Sequence, residues 1–134
     1  DERVCVAAAE RTSGLRDTIP VGSQLTMRAG SAAQVLLAWE DPERMHRGLQ
    51  HSAFSAAALS GVRRRGWAQS IGEREQGVAS VSAPVRSPGG KIIAAVSVSG
   101  PLERLSRQPG RMHAPAVLAA AEQLSESLRR AAAE

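Results

Sequence analysis

Aromatic side chains are almost missing from this sequence: Trp39, Phe54 and Trp67 are the whole set, and there is no tyrosine. Proteins that hold single-stranded nucleic acid stack bases on aromatic platforms, so this composition speaks against that class. A core has to be assembled from Ala, Val, Leu and Ile instead. Cys5 is the one cysteine, so no intrachain disulfide can form, which fits a reducing cytoplasmic setting. Its apolar neighbours predict an inert core residue. Lys91 is the one lysine, and positive charge is carried by arginine. No run of 18 apolar residues occurs, so no membrane-spanning helix is expected. The opening Asp1-Glu2-Arg3 is neither a signal peptide nor an ordinary initiation, and it reads as the start of a fragment. Walker-type glycine loops, HExxH, CxxC and GxSxG are all absent. His46, His51 and His113 are scattered, with no carboxylate at a ligand spacing, so neither a metal site nor a cofactor is expected.

What is present fits one domain of 134 residues, long enough to bury roughly two-thirds of its unfolded surface. The net charge is +4. The clusters Arg63–Arg65 and Arg129–Arg130 could form a nucleic-acid patch, but they read better as cations closing helix C-termini.

Arg3–Ala9 is a short apolar run with β-branched members and predicts a strand. Asp1 and Glu2 resemble the end of a turn, so a partner strand is expected to precede it. Arg16–Val21 is a second candidate strand. Ala29–Trp39 places Ala32, Val35, Leu36 and Trp39 at helical spacing. Asp41-Pro42 starts a short helix, with Asp41 as N-cap and Pro42 at the first position. Ser55–Arg65 predicts a helix with Leu59 and Val62 inward and Gly66 ending it. Trp67–Ile71 is a strand. Gly77–Arg86 and Lys91–Ser99 are the strongest strands, joined by the turn Ser87-Pro88-Gly89-Gly90. Pairing Arg86 with Lys91 sets Val85 against Ile92, Ala83 against Ala94 and Val81 against Val96, an apolar face. Ser80 then lies across from Ser97, and Val78 across from Ser99. Ser106–Gly110 reads as a loop. A final helix over Met112–Arg130 has Pro115 in its first turn and a stripe of Val117, Ala121, Leu124 and Leu128. The order predicts an α+β domain, a mostly antiparallel sheet with helices packed on it.

Ser80, Ser97 and Ser99 form the informative constellation. Serine is a poor strand former unless its hydroxyl is used or wet. Three on one face are either a solvent-facing side of the sheet or a pocket floor for a small polar ligand. Glu73 and Glu75 could be an acid/base pair but read as solvated charges.

Three segments resemble the effector-binding domain of IclR-type transcription regulators. They are Val21-Gly22-Ser23-Gln24-Leu25-Thr26-Met27 leading into the helix Ala29–Trp39, then Val62-Arg63-Arg64-Arg65-Gly66-Trp67-Ala68. The third runs from Glu73 and Gly77-Val78 through Ser82-Ala83-Pro84-Val85 to Ala94-Ala95-Val96-Ser97-Val98-Ser99-Gly100-Pro101. The resemblance covers nearly the whole chain. It implies a GAF-like fold, a ligand pocket on one side of the sheet, assembly as a homo-dimer or tetramer, and no enzymatic activity. It further implies that operator DNA is bound through an N-terminal winged helix-turn-helix absent from this chain. Positions matching the family's pocket are Asp17, Leu25, Ser31, Ala32, Ser70, Val78, Ser80, Ser97 and Ser99. Ser70 and Ser80 stand where other members often carry an acid and a Cys, Arg28 replaces a common His, and Gln34 a common Lys. Arg11–Thr26 and Gly66–Val85 look closest to an actinobacterial subgroup controlling amino-acid biosynthesis, notably the leucine pathway.

The effector expected on this reading is an amino acid or a keto acid. Asp17 would accept the ammonium of an amino acid; the alternative is that Asp17 and Arg16 are a solvated surface pair, worth little. Arg16 or Arg28 would donate to the amino acid's carboxylate, the serines would add hydroxyl donors, and Leu25 and Val78 would wall an aliphatic side chain. Two other functions fit the residues: a small hydrolase or transferase using one of the serines, and an assembly module with a vestigial pocket. The nucleophile reading lacks a histidine near the serines in sequence.

Overall fold

The computed structural model describes residues 2–10 and 19–134. Its elements are β1 (Glu2–Val4), β2 (Gln24–Thr26), α1 (Ser31–Ala38), α2 (Pro42–Leu49), α3 (Ala56–Arg65), β3 (Ala68–Ile71), β4 (Val78–Arg86), β5 (Ile92–Pro101), α4 (Leu102–Leu105) and α5 (Pro109–Ala133). β3, β4 and β5 form one antiparallel sheet in that order, and β1 pairs with β2 in a second.

The main sheet is covered on both faces. Val81, Ala83 and Val85 of β4 pack under Ala114, Val117 and Ala121 of α5, with Trp67, Ala94 and Val96 beside them. The other face meets α1 and α3, where Ala33, Val35, Leu37, Ala38, Phe54, Leu59, Val62 and Ala68 form a second core cluster. Leu59, Val35 and Val62 are fully enclosed, each worth about 1.5–3 kcal/mol relative to exposure. Aliphatic residues thus supply what the scarce aromatics do not.

Helix ends follow their local chemistry. Asp41 Oδ1 accepts the Arg44 N–H at 3.0 Å and Pro42 opens α2. Ser55 caps α3 by accepting the Ala58 N–H at 3.1 Å, and Gly66 closes it in a left-handed conformation. The arginine clusters are used within the chain. Arg63 donates to Ala38 O at 2.8 Å, filling a vacant carbonyl at the end of α1, and Arg65 lies 4.3 Å from the Trp67 ring centroid. Arg129 binds Glu122 and Glu126.

Several expectations are corrected. The register of β4 and β5 is shifted by two residues: Val85 pairs with Ala94, Ala83 with Val96, Val81 with Val98, Ser82 with Ser97, and Ser80 with Ser99 rather than Ser97. Val78 pairs with Pro101. The turn is longer than the sequence suggests, because Ser87 N–H donates to Lys91 O at 2.8 Å and draws Lys91 into it. A bulge then adds a residue, since Arg86 pairs with Ile92 while Val85 pairs with Ala94, leaving Ile93 extra. The freed Arg86 N–H donates to Ser125 Oγ of α5 at 2.9 Å. A shift of two preserves the faces, so the apolar and serine sides are as expected.

β1 ends at Val4, short of the expected Ala9, and Cys5 is half-buried rather than core. Residues 16–18 of the expected second strand lie outside the described residues, and the strand that forms is Gln24–Thr26. In α1 the buried residues are Ser31, Ala33, Gln34, Val35, Leu37 and Ala38, whereas Ala32, Leu36 and Trp39 are half-buried. Helix contacts on more than one side override the single stripe. Ser106–Gly110 is not all loop: α5 begins at Pro109, and Pro115 sits inside it on the exposed side. Tertiary contact selects the earlier proline. Gly110 N–H donates to Gln69 Oε1 at 2.9 Å, and a Cβ at Gly110 would run into the Trp67 ring. The inward set of α5 is Ala114, Val117, Ala121 and Ser125, and Leu124 and Leu128 are exposed.

Candidate effector site

Period-two alternation puts Ser80 and Ser82 of β4 on the sheet face opposite α5, with Ser70 of β3 and Ser97 and Ser99 of β5. That face is not open to solvent along its length, because the first turn of α1 lies over it. The Ser31 hydroxyl reaches Ser80 Oγ at 2.6 Å and Ser82 Oγ at 2.7 Å. Ser80 continues to Ser70 at 2.7 Å, and Ser82 to Ser97 at 2.5 Å. Five hydroxyls therefore form one chain, Ser70–Ser80–Ser31–Ser82–Ser97. Ser31, Ser70 and Ser82 are buried, Ser80 is half-buried and Ser97 is exposed.

Each hydroxyl offers one proton and two acceptor positions. The chain satisfies buried hydroxyls that would each cost about 1–3 kcal/mol if left unpaired. It can also reorient, since a hydroxyl rotor can turn from one neighbour to the next. A polar ligand entering beside it would exchange Ser–Ser bonds for Ser–ligand bonds with donors or acceptors as its chemistry requires.

The start of α1 is held from several sides. Gly30 precedes it at φ 100°, a left-handed value that favours glycine. The Gly30 N–H donates to Glu73 Oε1 at 3.0 Å, and Gln34 Nε2 donates to Glu73 Oε2 at 3.0 Å and to Gln69 O at 3.2 Å. Arg3 donates to Thr26 O and, at 3.1 Å, to Ala29 O. Burial, then the charge of Arg74, lowers the Arg3 guanidinium from its ordinary range. Glu73 is thus a half-buried helix-start acceptor, not the solvated charge expected; Glu75 is exposed and pairs with Arg74.

Of the residues singled out from sequence, Ser31, Ser70, Ser80 and Ser97 are joined by hydrogen bonds, and Ser99 stands opposite Ser80 in the ladder. Val78 begins β4 and is half-buried, as is Ala32 next to Ser31. Leu25 lies in β2 opposite Arg3, half-buried. Arg28 is exposed. Arg16 and Asp17 lie outside the described residues. Sequence reasoning missed Ser82, Glu73 and Arg3. The signal for Ser82 was its parity with Ser80; the shifted register had set it opposite Ala95 and hidden it.

The described hydroxyl partners are other serines, and His46, His51 and His113 are not among them. Among the described residues no group of three or more His, Cys, Asp or Glu could hold a metal ion, and no helix is long and apolar enough to cross a membrane.

The comparisons agree with this architecture. HTH-type transcriptional regulator BhcR of Paracoccus denitrificans is 29% identical over 138 residues, spanning 93% of this chain and 50% of that protein. The chain therefore spans about half the length of that relative. A crystal structure of a transcriptional regulator from Rhodococcus sp. RHA1 superposes with TM-score 0.86 at 25% identity, covering 96% of this chain and 58% of that one. An IclR-family regulator from Rhodococcus sp. gives TM-score 0.75 at 29% identity, covering 93% and 52%. The fold is GAF-like, as in these regulator domains, and the family is one of transcription regulators rather than enzymes. The family model "Bacterial transcriptional regulator IclR C-terminal" matches residues 1–126, and the chain belongs to that family as its effector-binding domain.

Proposed function

We propose that the α1–sheet interface is a sensor for a small polar metabolite, and that its occupancy sets the activity of a cytoplasmic DNA-binding regulator. The observation that carries the reading is the hydroxyl chain Ser70–Ser80–Ser31–Ser82–Ser97, a polar seam inside an otherwise aliphatic domain. A seam that only held α1 in place would be replaceable by apolar contacts, whereas a binding surface needs groups that can turn towards a ligand. Operator DNA is bound through a winged helix-turn-helix outside this chain, and the regulator assembles as a homo-dimer or tetramer.

The ligand class is read from the seam together with the candidate residues named from the sequence. A free amino acid needs an acceptor for its ammonium, donors for its carboxylate and an apolar wall. Asp17 supplies the first, Arg16 or Arg28 with Ser80, Ser97 and Ser99 the second, and Leu25 and Val78 the third. A keto acid would offer Asp17 no cation, and a carboxylate enclosed by a bound ligand without a partner would be costly. The effector is therefore leucine or a relative, and the regulated pathway is amino-acid biosynthesis. Calorimetry with leucine and with its keto acid, on wild type and Asp17→Asn, tests this. The expected result is preference for leucine and its loss in Asp17→Asn; equal affinities in wild type, or an unchanged preference in the variant, would remove the amino-acid assignment.

A further inference from the structure

We propose that the cleft between the end of α1 and the β4–β5 hairpin is a ligand site separate from the seam, taking a small carboxylate with an apolar body. The cleft holds about 260 Å³, and its walls include Leu36, Trp39, Glu40, Arg86, Lys91 and Ile92. That lies just under the roughly 300–1,000 Å³ of drug-sized sites, so the ligand is small. Arg86 and Ile92 face each other in the ladder. Ile92 and Trp39 both pack against the core cluster beneath α1, and residue 86 shares the parity of Ser80 and Ser82. The cleft therefore lies on the same sheet face as the seam, at the other end of α1. The helix, Ser31–Ala38, sets the two about 12 Å apart along its axis.

Half of the lining is apolar and still wet. Leu36, Trp39 and Ile92 are each half-buried, so a ligand's hydrocarbon body would cover surface that the fold leaves open. The other half carries positive charge. The Arg86 guanidinium lies 5.2 Å from the Trp39 ring centroid, and its Nη1 donates to Gly90 O at 3.1 Å. Those two contacts hold the fork in place and leave most of its N–H donors unused. Lys91 stands beside it, exposed.

Among the described residues neither Arg86 nor Lys91 forms an ion pair with a carboxylate. The carbonyls ending α1 do not draw them either: Ala38 O accepts from Arg63, and Leu37 O from the Glu40 N–H. Two cations beside apolar walls select an anion with a hydrocarbon body. A carboxylate matches the guanidinium fork bidentately, and the Lys91 ammonium adds a second charge. Glu40 lines the same cleft and faces an exposed Arg44 at 3.7 Å. Its carboxylate repels a second negative charge, so monocarboxylates are preferred to dicarboxylates.

The test is an NMR titration of the 134-residue chain with isocaproate, read at the indole N–H signals of Trp39 and Trp67 after sequence-specific assignment. The Trp39 signal should shift saturably, with a Kd of roughly 1 mM or tighter. Isocaproamide, which lacks the charge, and acetate, which lacks the body, should each bind more weakly by about tenfold or more. Lys91→Glu changes an exposed side chain, so Tm should hold while isocaproate binds about tenfold or more weakly. Lys91→Met should fall between. Ser80→Ala should leave the Trp39 response as in wild type, which separates this cleft from the seam. No saturable shift at Trp39, equal binding of the amide or of acetate, an unchanged Kd in Lys91→Glu, or a response lost in Ser80→Ala would each overturn the proposal.

Discussion

Ser31 bonds two other hydroxyls while itself almost fully buried, and Ser97 ends the same chain in solvent. Their substitutions should therefore differ. Ser31→Ala removes two hydrogen bonds at once, leaving Ser80 only Ser70 and the buried Ser82 only Ser97, which at about 0.5–1.5 kcal/mol each should cost about 1–3 kcal/mol. Ser97→Ala removes an exposed group and leaves Ser82 its bond to Ser31, so the change should stay within about 0.5 kcal/mol. Urea unfolding of both variants checks this, and equal losses would contradict the hydroxyl-chain account. Gly110 gives a second residue-level test. Alanine is favoured over glycine inside a helix by roughly 1 kcal/mol, but here its Cβ would meet the Trp67 ring and Gln69 Oε1. Overpacking of that kind costs about 1–3 kcal/mol, so Gly110→Ala should be destabilising on balance, read as a lower urea midpoint.

At the scale of elements, the β4–β5 hairpin and α5 depend on each other at the bulge. Ser125 accepts the Arg86 N–H that the bulge frees, and donates to Ala121 O at 2.9 Å. Ser125→Ala should cost about 1–3 kcal/mol and speed exchange of the Arg86 amide while leaving Val96 protected. The last turns of α5 offer a pH test. The hydrogen bond from Arg129, then its charge, holds the Glu126 carboxyl below its ordinary range. A lowered folded value means the contribution to stability is present above the unfolded carboxylate's range. It is lost as pH falls through the lowered value. Carboxyl NMR titration should show this, and Arg129→Gln should raise the Glu126 midpoint. Most elements were legible in the sequence because their signals are local: Asp41-Pro42 and Gly66 mark helix ends, and alternation sorts the faces of β4 and β5. The hairpin register was not, because a two-residue slip keeps every apolar residue on the same face. Nor was the start of α5, since Pro109 and Pro115 are both good first-turn residues and only the contact of Gly110 with Trp67 decides between them.

For the whole molecule, the sheet with α5 on one face and α1 with α3 on the other leaves the hydroxyl seam as its main buried polar feature. Part of that seam was readable as Ser80, Ser97 and Ser99 on one face. Its closure through Ser31 and Ser82 was not, because it depends on where α1 crosses the sheet, and nothing local in the sequence fixes that crossing. Likewise Glu73 looked like a surface charge until the loop after β3 brought it to the start of α1. The most direct test of the central claim, that this seam is where a metabolite is sensed, is a thermal-shift screen of amino acids and keto acids on wild type and Ser80→Ala. A ligand at 100 times its Kd should stabilise wild type by about 2.7 kcal/mol, and that gain should largely vanish in Ser80→Ala. A ligand that stabilises both proteins equally would place sensing elsewhere and contradict the account.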